Sequence, residues 1–324
     1  MTKRVLGCGF AACVLLCAAA PALAQSYPSR PIRLIVPFPP GGSTDTYSRI
    51  ISPGMTEVLG QNVVLDNRAG AAGSLGAELA SKAPADGYTI VLGQDSNLVV
   101  GQAVRKKKNY NTLADFTPIS LVVRTPQVLV VADKSPLKTL KDLIAAAKAN
   151  PGKLTFASAG TAGSSHVMGT FFNRAVGIDT LHVPYKGGGP GMLDLYAGRV
   201  SYMITSMVSS LAYARDGRAR LLAVTGLKRS HLFPDVPTVA ESGIAGFETT
   251  IWHGVLTPAQ VPKNVVTRLN QAVVRVLAQP DVQKKLQFEG GMVAPSTADE
   301  FAAFLRSDVA RWEQMIKQTG ISID

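Results

Sequence analysis

Cysteine is scarce in this sequence. Of 324 residues only three are cysteines, and all of them lie within the first 17 positions. They are Cys8, Cys13 and Cys17. The rest of the chain can therefore form no disulfide, has no thiol nucleophile and offers no cysteine ligand to a metal.

The same first residues have the composition of a cleavable export signal. Lys3 and Arg4 precede an apolar run over 5–20, and Ala22-Leu23-Ala24 supplies the small residues typical of a cleavage site. We expect residues 1–24 to be removed and the product to be a soluble periplasmic protein. The alternative is a membrane anchor, but the apolar run is short for a membrane span.

The chain also lacks the short motifs of common catalytic and nucleotide-binding sites. It has no G-x-S-x-G elbow, no Gly-Lys-Ser/Thr P-loop and no H-x-x-x-H metal spacing. Gly70-x-x-Gly73-x-x-Gly76 differs from the dinucleotide motif, and we interpret these glycines as turn and close-packing residues. We expect no enzyme, no cofactor and no metal. A serine hydrolase built on Ser164, Ser165 and His166 is a minor alternative, because neighbouring residues at a helix start point in different directions.

Acidic residues are outnumbered by basic ones. The formal net charge is +11, and it remains +9 without Lys3 and Arg4 because the leader contains no acid. A positive field attracts anions, but the charges are scattered and no aromatic-basic motif occurs, so we expect no nucleic-acid partner. We interpret the densest run, Arg105–Lys108, as a solvated loop, and Lys186 as a cation at a cleft rim or in solvent.

Apolar strand-like runs alternate with helical patterns, which is typical of α/β architecture. Strands are predicted near 32–36, 62–66, 88–92, 122–131, 154–157 and 221–225, and helices near 44–59, 140–149, 164–176, 261–277 and 298–319. Pro53-Gly54 is expected to kink or interrupt the first helix. Thr297 and Glu300 form a capping box for the last helix.

One arrangement occurs twice: a strand, a Gly/Ser turn and a helix start, near 36–46 and again near 156–168. The first amides of a helix lack partners within it and carry the positive end of its dipole, so each turn is a candidate anion site. Two such turns facing each other predict a two-lobed clamshell, each lobe a mixed sheet flanked by helices. We assign 25–125 plus 250–324 to lobe 1 and 126–249 to lobe 2, with a hinge motion between them.

Seven blocks in order along the chain resemble the Bug (TctC-like) family, the periplasmic receptors of tripartite tricarboxylate transporters. The blocks are Pro37-Phe38-x-Pro40-Gly41-Gly42-x-x-Asp45, Asn67-Arg68-x-Gly70-Ala71, Ala83-x-x-Asp86-Gly87-Tyr88-Thr89, Gly163-Ser164-Ser165-His166, Val183-Pro184-Tyr185-Lys186-Gly187, the run from Leu232 to Gly243, and Trp252-His253-Gly254. They extend over nearly all of the chain after the leader.

The resemblance implies a periplasmic-binding fold that captures a small organic carboxylate between its lobes and delivers it to membrane permease subunits. It also implies that backbone amides and hydroxyls of both lobes hold one carboxylate. The residues implicated by position are Phe38, Gly42, Ser43 and Asp45 in lobe 1, and Ser158, Thr161, Gly163, Ser164, Ser165 and His166 in lobe 2, with Tyr185 and Gly187 nearby. We expect a monomer.

Two positions depart from the family pattern. Asp95 stands in a turn where relatives often have small Ser or Thr residues, and a charged Asp95 would repel a carboxylate. It could point to solvent or a peptide amide, or it could meet an ammonium or hydroxyl group of the ligand. Thr205 stands where many relatives have an acid, so the distal specificity could be unusual. Trp252 could belong to the core or to the cleft wall.

The same cleft would also suit a ligand-sensing module that feeds a signalling partner. Residue patterns do not separate sensing from transport, and they do not name the ligand.

Overall fold

The computed structural model describes residues 27–319. The expected leader over 1–24, with its three cysteines, lies outside the described residues. Within 27–319, no helix combines the length and the apolar character needed to cross a membrane.

The described chain forms one mixed sheet in the spatial order β2-β1-β3-β9-β4-β7-β5-β6, with β8 and β10 also paired to β4. The strands are β1 Ile32–Val36, β2 Val63–Asn67, β3 Thr89–Gln94, β4 Phe116–Ala132, β5 Thr155–Ser158, β6 Leu181–Pro184, β7 Tyr202–Ser206, β8 Ala219–Val224, β9 Thr250–Pro258 and β10 Met292–Val293. Parallel pairs (β1 with β2 and β3, β5 with β6 and β7) form the outer parts, and antiparallel pairs form the middle.

Helices cover this sheet. They are α1 Ser43–Leu59, α2 Ser74–Ser81, α3 Gly101–Ala103, α4 Thr112–Asp115, α5 Leu140–Ala149, α6 Ser164–Val176, α7 Gly188–Tyr196, α8 Met207–Arg215, α9 Lys263–Leu277, α10 Pro280–Phe288 and α11 Ala298–Thr319. A short 3-10 turn spans Ala71–Gly73, and a π-helical segment spans Ser96–Val100.

The long strand β4 connects the two lobes. Its residues 116–126 pair with β9, whereas 127–132 pair with β7 and β8. The change of partner falls between Pro126 and Gln127. The division that we expect, with boundaries at 125/126 and 249/250, lies beside this change and stays a prediction.

Lobe 1 is stabilised by the packing of α1 on α9. Ile51 and Met55 of α1 are buried in one apolar cluster with Leu269 and Val273 of α9, and each such side chain contributes about 1.5–3 kcal/mol by leaving water. A Cβ on Gly54 would lie 3.0 Å from Val276, so this glycine allows the close approach of the helices. The expected interruption at Pro53 is wrong: Pro53 is exposed, and α1 continues through it because the opposite face is held by α9.

Capping chemistry set several boundaries that the sequence predicts. Helix α5 has the expected bounds, and Thr139 and Asp142 form its capping box. Thr297 and Glu300 exchange the expected hydrogen bonds at the start of α11. The π-helical segment after β3 and the full length of β4 were not expected.

Candidate functional site

Four helices begin at one cleft between the lobes. The starts of α1, α6, α7 and α8 all contribute residues to its lining. Three of them are preceded by glycines that provide no side-chain cap, namely Gly42, Gly163 and Gly187. Because a glycine cap leaves the first amides without a side-chain acceptor, three positive helix ends are available to a negatively charged ligand.

The cleft encloses about 430 Å³ and is polar without being charged. Its lining contains hydroxyl groups, side-chain amides and a few apolar contacts, but no acidic or basic side chain. The lining residues are Phe38, Pro39, Gly42, Ser43, Thr44, Gln94, Ser96, Gln127, Ala159, Ser164, Ser165, Gly187, Gly188, Thr205, Ser206, Ser209 and Ile251.

Several buried polar atoms in this lining make no hydrogen bond to the protein. They include Thr44 Oγ1, Gln94 Oε1 and both amide atoms of Gln127. Since buried polar groups are nearly always paired, such a concentration indicates a place where a ligand completes the hydrogen bonding. Gln127 lies on β4 where the strand changes partner, and nothing in its sequence neighbourhood singles it out.

The turn between β1 and α1 is shaped by Asp45. Its carboxylate accepts hydrogen bonds from the Gly41 amide at 3.1 Å, from Arg49 at 2.9 Å and from Asn67 at 3.0 Å. Asn67 also donates to the Phe38 carbonyl. Burial alone would raise the pKa of Asp45, but the hydrogen bonds from Arg49, Asn67 and Gly41 outweigh it and lower the pKa. Asp45 lies outside the cleft lining and holds the turn from behind.

Ser43 is oriented by a buried histidine. The Ser43 hydroxyl and His253 Nε2 are 3.0 Å apart, and His253 Nδ1 has no partner. Burial lowers the pKa of His253 to about 3, so the ring is neutral at neutral pH. We assign the proton to Nε2, because the other tautomer would bury an unpaired N–H. His253 then donates to Ser43, and the Ser43 proton is free to face the cleft.

The turn between β5 and α6 is fixed by internal hydrogen bonds. Ser158 bonds His182 at 2.7 Å, Ser165 Oγ accepts from the Ala159 amide at 2.9 Å, and His166 Nδ1 accepts from the Ala162 amide. The rings of His166 and His182 stack at 3.8 Å. Burial lowers the pKa of both, that of His182 to about 3 with a further contribution from His166. Ser158 and His166 therefore support the turn.

Asp95 is completely buried behind the cleft, so its expected alternative of pointing to solvent is wrong. Neither carboxylate oxygen has a hydrogen-bond partner among the described residues. Burial, and then the charge of Asp308, raise the pKa of Asp95 well above its ordinary value. The carboxyl group is thus held towards its neutral form, which removes the repulsion that a charged Asp95 would exert on an anion.

The sequence-predicted residues fall into three places. Those in the cleft lining are Phe38, Gly42, Ser43, Ser164, Ser165, Gly187 and Thr205. Those lining a neighbouring pocket are Thr161 and Tyr185. Those behind the lining are Asp45, Asp95, Ser158, Gly163 and His166. Trp252 is a core residue, packed on Phe301 and donating to Asp308 at 2.8 Å.

The lobes touch each other through glycines. A Cβ on Gly187 would lie 2.8 Å from Pro39, one on Gly163 would lie 2.7 Å from Ser96 Oγ, and one on Gly160 would lie 3.1 Å from Ala72. The Ser164 amide donates across the cleft to Ser96 Oγ at 3.3 Å. The structure is therefore a closed form, and its closure depends on missing side chains.

In the part of the chain that the structure describes, no group of three or more His, Cys, Asp or Glu residues is placed to hold a metal ion. The cleft offers neutral donors instead.

The fold and the cleft define a solute-binding receptor of the two-lobed, periplasmic-binding-protein type. The model of the tripartite tricarboxylate transporter family receptor (TctC) matches residues 47–321. The chain belongs to this receptor family.

Three relatives illustrate the likeness. The chain is 37% identical over 306 residues to protein BugT of Bordetella pertussis, with 94% of each chain covered. It is similar to R. palustris Rpa4515 with adipate (TM-score 0.88, 33% identity, 91% of this chain and 99% of that one). It is also similar to MatC from Rhodopseudomonas palustris with bound malate (TM-score 0.86, 31% identity, 90% of this chain and 100% of that one).

Proposed function

We propose that this receptor is a periplasmic protein that captures a small organic carboxylate in the interlobe cleft and delivers it to the membrane permease of a tripartite tricarboxylate transporter. The observation that carries the proposal is the convergence of three uncapped helix starts on a polar, uncharged cleft. Such a site favours an anion and satisfies it by amides and hydroxyls.

The size of the expected interaction fits a transport receptor. Each hydrogen bond to a charged group contributes about 1.5–3 kcal/mol net. Four or five of them, less the cost of association and ordering, correspond to binding in about the micromolar range. No arginine clamp is needed in the cleft.

The ligands of the relatives point to the same chemistry. Rpa4515 was seen with adipate and MatC with malate, and both are carboxylates. We infer a carboxylate for this chain as well, held with lobe 1 as 25–125 plus 250–324 and lobe 2 as 126–249. Export would depend on removal of residues 1–24.

A receptor role is favoured over hydrolysis by the second turn. Ser165 Oγ is occupied by the Ala159 amide, and His166 Nδ1 by the Ala162 amide. A nucleophile and its base would need to bond each other, whereas these two groups each bond the backbone.

Two measurements test the proposal. Native mass spectrometry of the mature chain, purified without refolding, is expected to reveal a copurified organic acid. Thermal unfolding in the presence of a panel of carboxylates, each paired with its primary amide, is expected to show stabilisation by at least one acid and by none of the amides. If no acid copurifies and none raises the unfolding temperature, the proposal is wrong.

A further inference from the structure

A second cavity adjoins the cleft. It encloses about 750 Å³ and shares Phe38, Pro39 and Ala159 with the cleft lining. Lobe 1 contributes the loop 70–73 and Arg105, and lobe 2 contributes 159–161 and 184–186. We call this cavity the distal pocket. A ligand with one end in the cleft can extend into it past the shared residues.

The distal pocket is lined by two positive charges, Arg105 from lobe 1 and Lys186 from lobe 2. None of the described residues that line it is acidic. The cleft has neutral donors only, so the two cavities differ in charge. The expectation that Arg105 belongs to a solvated loop is wrong, because its side chain is half-buried and lines this cavity.

Arg105 is held in place without being neutralised. Its guanidinium donates to Ser74 Oγ and to the Ala71 carbonyl, both of which are neutral acceptors. Among the described residues it has no carboxylate within 4 Å. A guanidinium carries five N–H donors, so Arg105 retains donors for a further acceptor and a charge that is not compensated.

The nearest candidate for compensation is already engaged. Glu78 lines a small pocket beside Arg105, but its carboxylate accepts from Lys82 at 2.6 Å and from Asn109 at 2.8 Å. The hydrogen bond from Lys82, the largest influence, lowers the pKa of Glu78. The positive charge of Arg105 is thus left to the distal pocket.

The walls of this pocket are built from strained backbone. Ala71 and Ala72 have φ values of 48° and 54°, and Ala162 on the facing turn has 66°. Non-glycine residues with positive φ cost free energy and persist at ligand clamps and switch regions. Ala72 is also the residue that approaches Gly160 of lobe 2, so closure of the lobes brings the strained loop over the pocket.

We propose that the distal pocket is the subsite for a second anionic group of the ligand, with Arg105 and Lys186 as its two cations. The receptor then selects dicarboxylates over monocarboxylates: one carboxylate lies at the helix starts, and the other lies between a cation of each lobe. This inference rests on the proposed carboxylate-receptor function.

Calorimetry with matched probes tests the subsite. The probes are the straight-chain dicarboxylates from succinate to pimelate, each paired with its monoamide, which keeps one carboxylate. For the parent protein, the best dicarboxylate is expected to bind at least tenfold more tightly than its monoamide, since a charged hydrogen-bond partner is lost in the amide. Arg105→Gln and Lys186→Gln are each expected to weaken the dicarboxylate severalfold to tenfold and to leave the monoamide within about twofold.

Lys108→Gln is the matched control, because it removes one positive charge from the same exposed run and lies outside the distal pocket. Arg105→Lys keeps the charge but loses the fork of donors, and it guards against misfolding of Arg105→Gln. Each variant is checked by its unfolding temperature.

The outcomes separate the two proposals. If the parent binds a dicarboxylate and its monoamide equally, or if Arg105→Gln weakens both equally, the subsite is wrong while the carboxylate receptor stands. If no carboxylate of either kind binds, the proposed function fails, and the subsite fails with it.

Discussion

The residues of the cleft recognise an anion through groups without formal charge. Neutral donors at helix starts are already oriented, and they do not need a counter-ion in the empty receptor. Thr44 illustrates this, since its hydroxyl lies in the cleft and makes no hydrogen bond to the protein. Such a group costs the protein some stability and contributes when the ligand arrives.

Thr44→Val tests that role. The substitution keeps the shape of the side chain and breaks no hydrogen bond within the protein. We expect carboxylate affinity to fall about tenfold or more, and the unfolding temperature to stay the same or to rise. Isothermal titration calorimetry with the copurified acid measures the affinity, and Thr267→Val, an exposed change on α9, is the control. An unchanged affinity in Thr44→Val would show that this hydroxyl does not face the ligand.

Asp95 makes stability depend on pH. Its pKa is raised in the folded protein, so the folded state binds a proton more tightly than the unfolded state does. The free energy of unfolding must then decrease as pH rises from the unfolded pKa, about 4, towards the folded pKa, by at most about 1.4 kcal/mol per pH unit. Asp95→Asn removes this contribution. We expect the variant to lose less stability than the parent between pH 4 and pH 8.

Urea unfolding at several pH values measures this difference. The neighbouring charges, Asp308 and Arg311, and the buried histidines are common to both proteins, so they cancel in the comparison. Parallel pH profiles for the parent and Asp95→Asn would contradict the burial of a neutral carboxyl group.

Ser43 and Ser164 are predictable at this scale because they occupy the first turn of helices that follow glycines. Gln127 and Thr205 are different. Gln127 reaches the cleft only because β4 changes partner beside it, and that depends on strand pairing between residues about 80–120 positions apart.

At the scale of elements, the turn from Pro37 to Gly42 is the part that positions the ligand, and Asp45 holds it. Three donors converge on one carboxylate, and one of them, Asn67, also binds the Phe38 carbonyl. The turn therefore depends on β2, which supplies Asn67, as well as on α1.

Asp45→Ala is expected to loosen this turn. Because the Gly41 amide and the Asn67 amide lose their acceptor, we expect carboxylate affinity to fall by about tenfold or more, although Asp45 does not line the cleft. Arg49→Ala is the matched control: it removes only the exposed partner of the ion pair, which is worth about 0–1 kcal/mol. Calorimetry and hydrogen exchange of residues 38–44 report the two effects, and equal affinities for both variants would contradict the positioning role.

Local rules predicted most elements, since caps and glycine turns mark helix ends regardless of the rest of the fold. They did not predict the π-helical segment after β3. Its residues are held from outside: the Tyr110 and Thr112 hydroxyls donate to the carbonyls of Asn97 and Leu98. Those contacts are made only after the sheet has formed.

At the scale of the whole molecule, closure of the lobes depends on glycines where they meet. Gly163 is the informative one, because its φ of −83° is open to any residue, so a side chain there causes no backbone strain. The obstacle is Ser96 of the other lobe, 2.7 Å from the added Cβ.

Gly163→Ala is therefore expected to fold normally and to close poorly. We expect carboxylate affinity to fall by more than tenfold, and small-angle scattering to show little compaction on addition of the acid. Gly189→Ala is the control, since a Cβ there meets no atom within 4 Å. Full compaction of Gly163→Ala with parent affinity would show that the lobes do not meet at this point in the bound state.

The two-lobed organisation followed from the repeated strand, glycine turn and helix start. The route of β4 between the lobes did not follow from it, because one 17-residue strand serves both lobes and its pairing depends on distant residues.

The central claim is that helix starts from both lobes hold a carboxylate. A crystal structure of the mature protein with its copurified acid tests it most directly. The account predicts one carboxylate within about 3.2 Å of amides or hydroxyls at the starts of both α1 and α6. A carboxylate bound outside this cleft, or an uncharged end of the ligand at those helix starts, would contradict it.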